Sequence, residues 1–319
     1  MSGTLIVSLD FELFWGMLDK CSLEDYRDNV LGGRAAIPKL LALFQKYGIH
    51  ATWATVGFLF ADNYEELSSF FPECSLWPAY ANEKLLPYPE FEKIGPNEAE
   101  APCFYAPSMI KLVSEAPGQE IGSHTFSHYY CREKGQTVEQ FAADMKAAKG
   151  IAAKHGYELT SVILPRNQCE PEYTQVLRKL GFTAYRDEEN DWIHEKIKFR
   201  PLLRLLRLAD VYFPLTGQGG YKPKNEDGIW NLVGSRMYKP ILKPLRFLEK
   251  RKLFRIKRQM LHAAKNGLTF HLWWHPHNIG VMTQEHLRQL EEIFRYYAEL
   301  QEKYGMQSLN MREAVQENA

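Results

Sequence analysis

Two histidines separated by three residues are the first candidates for chemistry in this sequence. His124 and His128 stand in the stretch IGSHTFSHYY, directly after Gly122 and Ser123. Imidazoles at this spacing can bind one metal ion, but they can also be two unrelated histidines on one helical turn. Zinc favours imidazole nitrogens combined with a carboxylate oxygen, and catalytic zinc sites keep one position open for water. The same ligands suit non-haem iron(II) oxygenases, so the pair indicates a metal without naming a reaction.

Two carboxylates near the start of the chain could supply the third ligand. Asp10 and Glu12 lie in SLDFELFWG, at the end of an otherwise apolar stretch. Side chains alternate along a strand, so both carboxylates are expected on one face at its C-terminal end. Active sites of parallel α/β folds gather at that end. Like charges there repel unless a cation or a proton intervenes, although such a pair can also cap a turn or bind an arginine.

Three more residues with useful chemistry follow apolar stretches. His275 and His277 in HLWWHPHN could include a general acid or base, or they could belong to a polar loop that caps the next helix. Arg166 in ILPRNQ stays protonated and could bind both carboxylate oxygens of Asp10, which would lower the pKa of that carboxyl group. The alternative for Arg166 is an ordinary surface position. All of these candidates fall at the C-terminal ends of predicted strands.

The elements that must position these residues alternate between strands and helices. TLIVSLDFEL predicts a buried strand, GGRAAIPKLLALFQKYGI predicts a helix that ends near Gly48, and HATWATVGFL predicts a second strand. This order indicates a βαβ unit and a parallel sheet. Thr137 and Gln140 predict a capping box at the start of a further helix, and a long helix is expected over residues 283–305.

Two segments fit this alternation poorly. We therefore expect one domain over residues 1–319 with two insertions, at about 61–117 and 191–260. Residues 72–107 hold seven prolines, which is typical of a long irregular segment such as a lid. Residues 236–258 hold ten Lys and Arg against one acid, Glu249. This basic stretch could rest on anionic lipid or bind a pyrophosphate, or it could be a solvated helical face.

Composition excludes some classes of partner and compartment. The chain has 319 residues with 39 basic and 39 acidic side chains, so we expect no nucleic acid partner. Its five cysteines are odd in number and form no CxxC motif, which favours reduced thiols over a disulfide framework. We recognise no signal peptide and no transmembrane stretch. The expected location is cytoplasmic, with peripheral membrane contact through residues 236–258 as an option.

Three stretches together resemble a known family. VSLDFE, AAIPKLLALFQKYGIHATWATVG and EIGSHTFSH are similar to motifs of the polysaccharide deacetylases of the NodB-homology, or carbohydrate esterase 4, type. VILPRNQ and LTFHLWWHPHN fall where the third and last motifs of that family are expected. The resemblance covers most of residues 1–60, 118–186 and 262–314. It implies an α/β fold, a distorted (β/α)7 barrel with two insertions, and metal-dependent removal of an N-acyl group from a sugar.

The resemblance also implies roles for the metal-site residues. His124 and His128 match the metal histidines, and zinc is the expected ion. The family usually has two adjacent aspartates in its first motif, a base followed by a ligand, whereas here one residue intervenes and the second acid is a glutamate. Taken in order, Asp10 is the expected base and Glu12 the expected ligand, and the exchange of these two roles stays open.

The remaining motifs give an acid, a bracing residue and substrate contacts. His275 matches the catalytic acid, which would protonate the leaving amine. Arg166 replaces the arginine of an Arg-x-Pro motif and is expected to brace Asp10. The expected substrate-binding residues are Trp15, Asn167, Gln168 and His277.

The expected substrate is an N-acetyl or N-formyl amino sugar in a glycan, a lipid-linked sugar or a sugar nucleotide, in surface polysaccharide biosynthesis. Two rival functions remain: an amidase that acts on a non-sugar C–N bond, and an inactive family member that binds glycans. An iron oxygenase fits less well, because the His-x-acid pair usual for that class is not found in the sequence.

Overall fold

A mostly parallel sheet forms the centre of the protein. The computed structural model describes residues 2–188, 192–197 and 199–318. Helices connect most of the strands, so the expected α/β class is confirmed. Within the described residues the strands are β1 (Thr4–Phe11), β2 (Ala51–Thr55), β3 (Gln119–Ser123), β4 (Ser161–Ile163), β5 (Ala184–Arg186), β6 (Lys224–Glu226), β7 (Ile229–Asn231), β8 (Arg236–Met237), β9 (Thr269–Trp274) and β10 (Gln307–Leu309).

The first strand lies in the middle of this sheet. Residues Val7–Phe11 of β1 pair with β2, Thr4–Ile6 pair with β10, and Thr4–Leu9 pair with β9, all in parallel. From β2 the order continues through β3, β4, β5 and β7 to β6, and from β9 it continues to β8. Because these central strands are parallel, their C-terminal ends meet at one edge of the sheet, where the candidate residues were expected.

One segment joins both sides of the sheet. Its first part, β7, pairs with β5, Gly234 forms a bridge with Glu188, and its last part, β8, pairs with β9. Residues 229–237 therefore connect the strands on either side of the molecule into a distorted barrel. We refer to residues 229–237 as the seam.

The helices that flank the sheet start and end largely where local signals place them. A hydroxyl of Ser22 accepts the N–H of Asp25, so the first helix begins nine residues before the predicted start, and it ends at Gly48 with φ 61°. The Thr137–Gln140 capping box is confirmed. The helices are α1 (Leu23–Tyr47), α2 (Tyr64–Ser68), α3 (Pro107–Ser114), α4 (Val138–Lys154), α5 (Pro171–Lys179), α6 (Trp192–Lys196), α7 (Arg200–Tyr212), α8 (Glu249–Asn266), α9 (Thr283–Tyr304) and α10 (Met311–Asn318).

The two expected insertions differ in how they relate to the sheet. Residues 61–117 hold α2, α3 and short 3₁₀ turns, with the Trp77 and Tyr88 rings stacked at 4.3 Å. The expected start of the second insertion at residue 191 lies outside the described residues. The later part of this second expected insertion supplies β7 and β8, so the seam belongs to the barrel. Short strands of two or three residues carry too few side chains to show a periodic pattern.

In the described part of the chain, no helix is long and apolar enough to cross a bilayer.

Candidate active site

Two buried carboxylates lie at the C-terminal end of β1. Asp10 is the penultimate residue of the strand and Glu12 follows its last residue, and each is 3% exposed. Burying a charged carboxylate is costly unless cations or hydrogen-bond donors compensate for the lost water. The partners that compensate Asp10 differ from those that compensate Glu12, and this difference separates their chemistry.

Glu12 faces the two histidines that follow β3. Its Oε2 lies 3.2 Å from His124 Nε2 and 2.8 Å from His128 Nε2. The Nδ1 of His124 lies 2.7 Å from the carbonyl oxygen of Ile163, and donation there leaves Nε2 free to act as a ligand. Burial raises the pKa of Glu12, but the nearby imidazoles, led by His275 and His128, outweigh it, so this pKa lies well below its ordinary value.

The loop between the two histidines is held by an acid that sequence reasoning missed. Asp144 of α4 accepts the N–H of Phe126 at 2.7 Å and the N–H of Ser127 at 3.1 Å. These bonds fix a turn in which Thr125 and His128 both have positive φ, 65° and 59°. Burial raises the pKa of Asp144 to about 6. An acid in the middle of an amphipathic helix gave no sequence signal for this role.

The donor set of Glu12, His124 and His128 fits a zinc-type site. Their ligand atoms all lie within 4.8 Å of one another. Ligands about 2.0–2.1 Å from a tetrahedral zinc ion are about 3.3 Å apart, close to the two distances from Glu12. Gly16 leaves the space that this carboxylate needs, because a β-carbon at Gly16 would lie 2.1 Å from Glu12 Oε1. Two imidazoles and one carboxylate therefore converge in a cradle suited to a divalent ion.

Asp10 is held by an arginine, but not by the one expected. Both terminal nitrogens of Arg186, the last residue of β5, donate to the two Asp10 oxygens at 2.8 Å. Arg186 Nε also donates to Asn167 Oδ1 at 3.0 Å, and Arg186 Nη1 donates to Ser8 Oγ at 2.8 Å. Burial raises the pKa of Asp10, but Arg186 and then His275 outweigh it, and the pKa lies below its ordinary value.

The prediction that Arg166 braces Asp10 is therefore wrong. Arg166 donates to Asp19 at 2.7 Å and to Glu133 at 2.9 Å, and its guanidinium lies 4.4 Å from the ring centre of Tyr130. The physical reason is the turn after β4, where Arg166 has φ 59°. This turn leaves Arg166 exposed and buries its neighbour Asn167.

Arg186 was not selected from the sequence, although its position in the sequence indicated a site residue. It is a charged residue at the C-terminal end of an apolar strand, the same feature that selected Asp10. Its guanidinium lies 4.1 Å from the ring centre of Trp273, a contact that a cation and an indole favour.

The two histidines after β9 complete the cluster. His275 Nε2 lies 3.6 Å from an oxygen of Asp10 and 3.6 Å from an oxygen of Glu12, and His277 Nε2 lies 3.8 Å from Glu12. The side chain of His275 is 19% exposed and that of His277 is 3% exposed, so His275 is the more accessible imidazole. Burial lowers the pKa of both, to about 3 for His277.

Among the residues expected to bind substrate, Trp15 is contradicted most directly. It is 1% exposed, donates through its indole N–H to the carbonyl of Phe104 at 2.9 Å, and packs against aromatic rings. Asn167 is buried and accepts from Arg186, and Gln168 accepts the N–H of Arg132 at 3.1 Å. Two of the rings around Trp15, Phe91 and Phe104, come from the expected lid, whose packing the local sequence does not show.

A cavity of about 520 Å³ adjoins the cluster. Asn167 and Trp273, which both contact Arg186, line this cavity. Arg207, Lys239 and Gly234 of the seam line it as well. Its volume is sufficient for a sugar-sized ligand, and its lining includes two residues that contact Arg186, the partner of Asp10.

Comparison with known structures shows the same fold. A putative polysaccharide deacetylase from Mycobacterium smegmatis is 13% identical and has a TM-score of 0.61, with 99% of this chain and 91% of that chain covered. Puue allantoinase is 13% identical with a TM-score of 0.54, covering 98% and 88%. A GH57-type branching enzyme from the archaeon Pyrococcus horikoshii is 12% identical with a TM-score of 0.53, covering 100% and 71%.

Comparison of sequences identifies the family. No curated protein matches the chain, but the family model described as polysaccharide deacetylase matches residues 25–185. That match spans half of the chain and includes His124 and His128, while Asp10, Glu12 and His275 lie outside it. The motifs, the barrel and the family match agree, and the chain belongs to the polysaccharide deacetylase family with its NodB-homology fold.

Proposed function

We propose that this protein is a metal-dependent N-deacylase that removes an acetyl or formyl group from an amino sugar. Family membership supports a carbohydrate deacetylase. The observation that carries the finer proposal is the convergence of Glu12, His124 and His128 beside the Asp10–Arg186 pair. We propose zinc as the ion and a glycan, a lipid-linked sugar or a sugar nucleotide as the carrier of the amino sugar, in surface polysaccharide biosynthesis.

The metal ligands and the base have separate tasks in this proposal. When bound, a divalent ion lowers the pKa of a water molecule and polarises the acyl carbonyl. Asp10 accepts the proton of the attacking water, because Arg186 fixes its carboxylate without a metal contact. Arg186 keeps Asp10 ionised and limits its rotation, so the base stays aimed at the same point.

His275 is the proposed proton donor to the leaving amine. It lies 3.6 Å from both carboxylates and is accessible from outside. Expulsion of an unprotonated amine is slow, and a positioned proton donor contributes about 10²–10⁴-fold in rate. Burial lowers the pKa of His275, which makes its protonated form a stronger acid.

A second candidate function is hydrolysis of a non-sugar amide. It is favoured by the likeness to Puue allantoinase, whose name refers to a different type of substrate on the same fold. The inactive glycan-binding alternative is less well supported, because the proposed ligands, base and acid are all present and close together. A cytoplasmic location is part of our proposal, and the five free cysteines support it.

Elemental analysis and amine release test the proposal together. We expect purified protein to carry bound divalent metal and to release amine from N-acyl amino sugars. His128→Ala should lose both the metal and turnover, and His275→Ala should keep the metal while turnover falls by about 10²–10⁴-fold. His262→Ala, on α8, is the matched control and should keep both properties. Retention of full metal content by His128→Ala would contradict the proposed ligand set, and release from simple amides alone would favour the second candidate.

A further inference from the structure

Exposed apolar side chains are concentrated in one part of the molecule. Among the described residues, thirteen large hydrophobic side chains are exposed, and ten of these lie between residues 192 and 254. The most exposed are Phe247 at 76%, Phe199 and Phe254 at 67%, and Leu205 at 62%. Scattered surface leucines are ordinary, but a cluster of this size marks an interaction surface.

Helix α7 shows the same feature most clearly. Its sequence RPLLRLLRLADVY holds five leucines and three arginines within residues 200–208. None of residues 200–209 is buried, whereas Asp210, Val211 and Tyr212 are. The end of α7 is therefore anchored in the protein, and the preceding turns leave their leucines and arginines partly or fully exposed.

Two neighbouring segments extend this surface. Arg204 and Leu208 of α7 line one apolar cavity together with Lys239 and Leu242. Phe213, just after α7, lies under the guanidinium of Arg251 at 5.3 Å. Phe254 stands three residues after Arg251 on α8, which places these two residues on one side of the helix, and Phe247 lies in the 3₁₀ turn that leads into α8. We call residues 199–208, Phe213, Leu242, Phe247, Arg251 and Phe254 the apolar–basic surface.

Charge around this surface is positive. Five of the ten basic residues in 236–258 form ion pairs within the protein, so the expected basic stretch is partly structural. The other five make no ion pair with the described residues. They are Lys239, Lys243, Lys250, Arg251 and Arg258.

An anionic bilayer fits these observations better than a second copy of the chain. Apolar side chains surrounded by Lys and Arg insert into the headgroup region, while the cations are attracted to an anionic leaflet. A symmetric dimer would instead place the same cations against each other. We infer that the apolar–basic surface docks the protein onto an anionic lipid bilayer.

This docking would place the active-site cavity next to the membrane. Arg207 and Lys239 line the 520 Å³ cavity beside Trp273 and also the apolar cavity at the docking surface. An amino sugar attached to a membrane lipid could enter from this side. This consequence for the substrate class rests on the proposed deacylase function, whereas the docking itself does not.

Flotation with lipid vesicles tests the docking without any substrate. We expect the protein to float with phosphatidylcholine vesicles that contain phosphatidylglycerol, less with phosphatidylcholine alone, and less at high salt. Leu205→Asp/Phe254→Asp and Lys250→Glu/Arg251→Glu should each weaken binding by about tenfold or more. Leu112→Asp, at an exposed position of α3 outside the apolar–basic surface, is the control and should bind as wild type does. Thermal unfolding would show that all three variants are folded.

The outcomes separate the docking from the catalysis. Absence of flotation at low salt would overturn the inference, and so would equal binding by Leu205→Asp/Phe254→Asp. A dimer in sedimentation analysis that Leu205→Asp/Phe254→Asp dissociates, without vesicle binding, would assign the surface to self-association instead. Vesicle binding by a protein that releases no amine from any N-acyl sugar would leave the docking intact and reject the proposed function.

Discussion

Asp10 and Asp210 are both buried aspartates held by arginines, in two different regions. Asp10 ends β1 and accepts a two-pronged contact from Arg186. Asp210 anchors α7, where it accepts from Arg236 and Arg255, each at 2.7 Å. In both cases the arginines outweigh burial, which alone would raise the pKa, and the pKa of the aspartate lies below its ordinary value.

The two aspartates differ in how many hydrogen bonds their carboxylate oxygens already accept. Thr216 donates to both oxygens of Asp210, through its N–H at 2.8 Å and its hydroxyl at 3.0 Å, so each oxygen already accepts at least two bonds. Asp10 receives one guanidinium bond on each oxygen and faces the His275 imidazole. A saturated carboxylate can only hold structure together, whereas a partly satisfied one can still accept a proton. An Asp–Arg contact alone therefore does not identify a catalytic base.

The largest expected effect is the loss of the proposed base. Asp10→Asn should lower kcat by about 10²–10⁴-fold, because the amide keeps the shape but cannot take a proton. Asp210→Asn is the matched control and should lower the activity of the folded protein by less than about tenfold, since its role is structural. Steady-state amine release, measured at a temperature where both variants are folded, checks this. Equal losses in both variants would erase the distinction between the two sites.

The next effect concerns stability at the second site. Asp210→Ala should lower the free energy of unfolding by about 3–5 kcal/mol, because Arg236 and Arg255 lose the buried carboxylate that both of them bind. Glu285→Ala removes the exposed Arg246–Glu285 pair and should cost about 1 kcal/mol or less. Urea unfolding followed by circular dichroism measures both. A loss at Asp210 no larger than at Glu285 would show that this buried network does not stabilise the fold.

A smaller effect should distinguish the two arginines near Asp10. Arg186→Lys should lower kcat by about 10–100-fold with unchanged metal content, because one ammonium group cannot hold both carboxylate oxygens. Arg166→Lys should change kcat by about twofold or less, because Arg166 binds Asp19 and Glu133 and does not contact Asp10. The split between kcat and metal content identifies a positioning role, and the opposite ranking of the two variants would restore the original assignment to Arg166.

The smallest effect is the response of Asp210 to pH. Its folded pKa is lowered, so its contribution to stability is present above its unfolded pKa of about 3.9 and is lost as the pH falls through the folded value. The difference in unfolding free energy between wild type and Asp210→Asn should be largest near neutral pH and shrink below about pH 4. Urea titrations across this range measure it, and a difference that grows on acidification would contradict the sign.

Much of the fold and part of the site could be predicted from sequence. α4 began at its predicted cap and α9 matched its predicted range closely, because helix caps and apolar spacing are local signals. Glu12, His124 and His128 came together as expected because the C-terminal ends of parallel strands meet at one edge. Local patterns therefore sufficed wherever the relevant contact followed from strand order alone.

The rest depended on contacts between distant segments. Arg166 and Arg186 both follow or end an apolar strand, and only the left-handed turn at Arg166 decides which of them reaches Asp10. Trp15 lies close to the site in sequence, but its partners come from the expected lid and bury it. The seam could not be predicted from the sequence, because β8 has only two residues and so shows no strand pattern.

The position of β1 also sets when the active site can exist. Proteins are made from the N-terminus, yet β1 pairs with β9 and β10, which come from residues 269–309. During synthesis, Asp10 and Glu12 leave the ribosome long before Arg186, the seam and His275. A nascent chain therefore carries its acids without their partners, and deacylase chemistry must wait until most of the polypeptide has been released and folded.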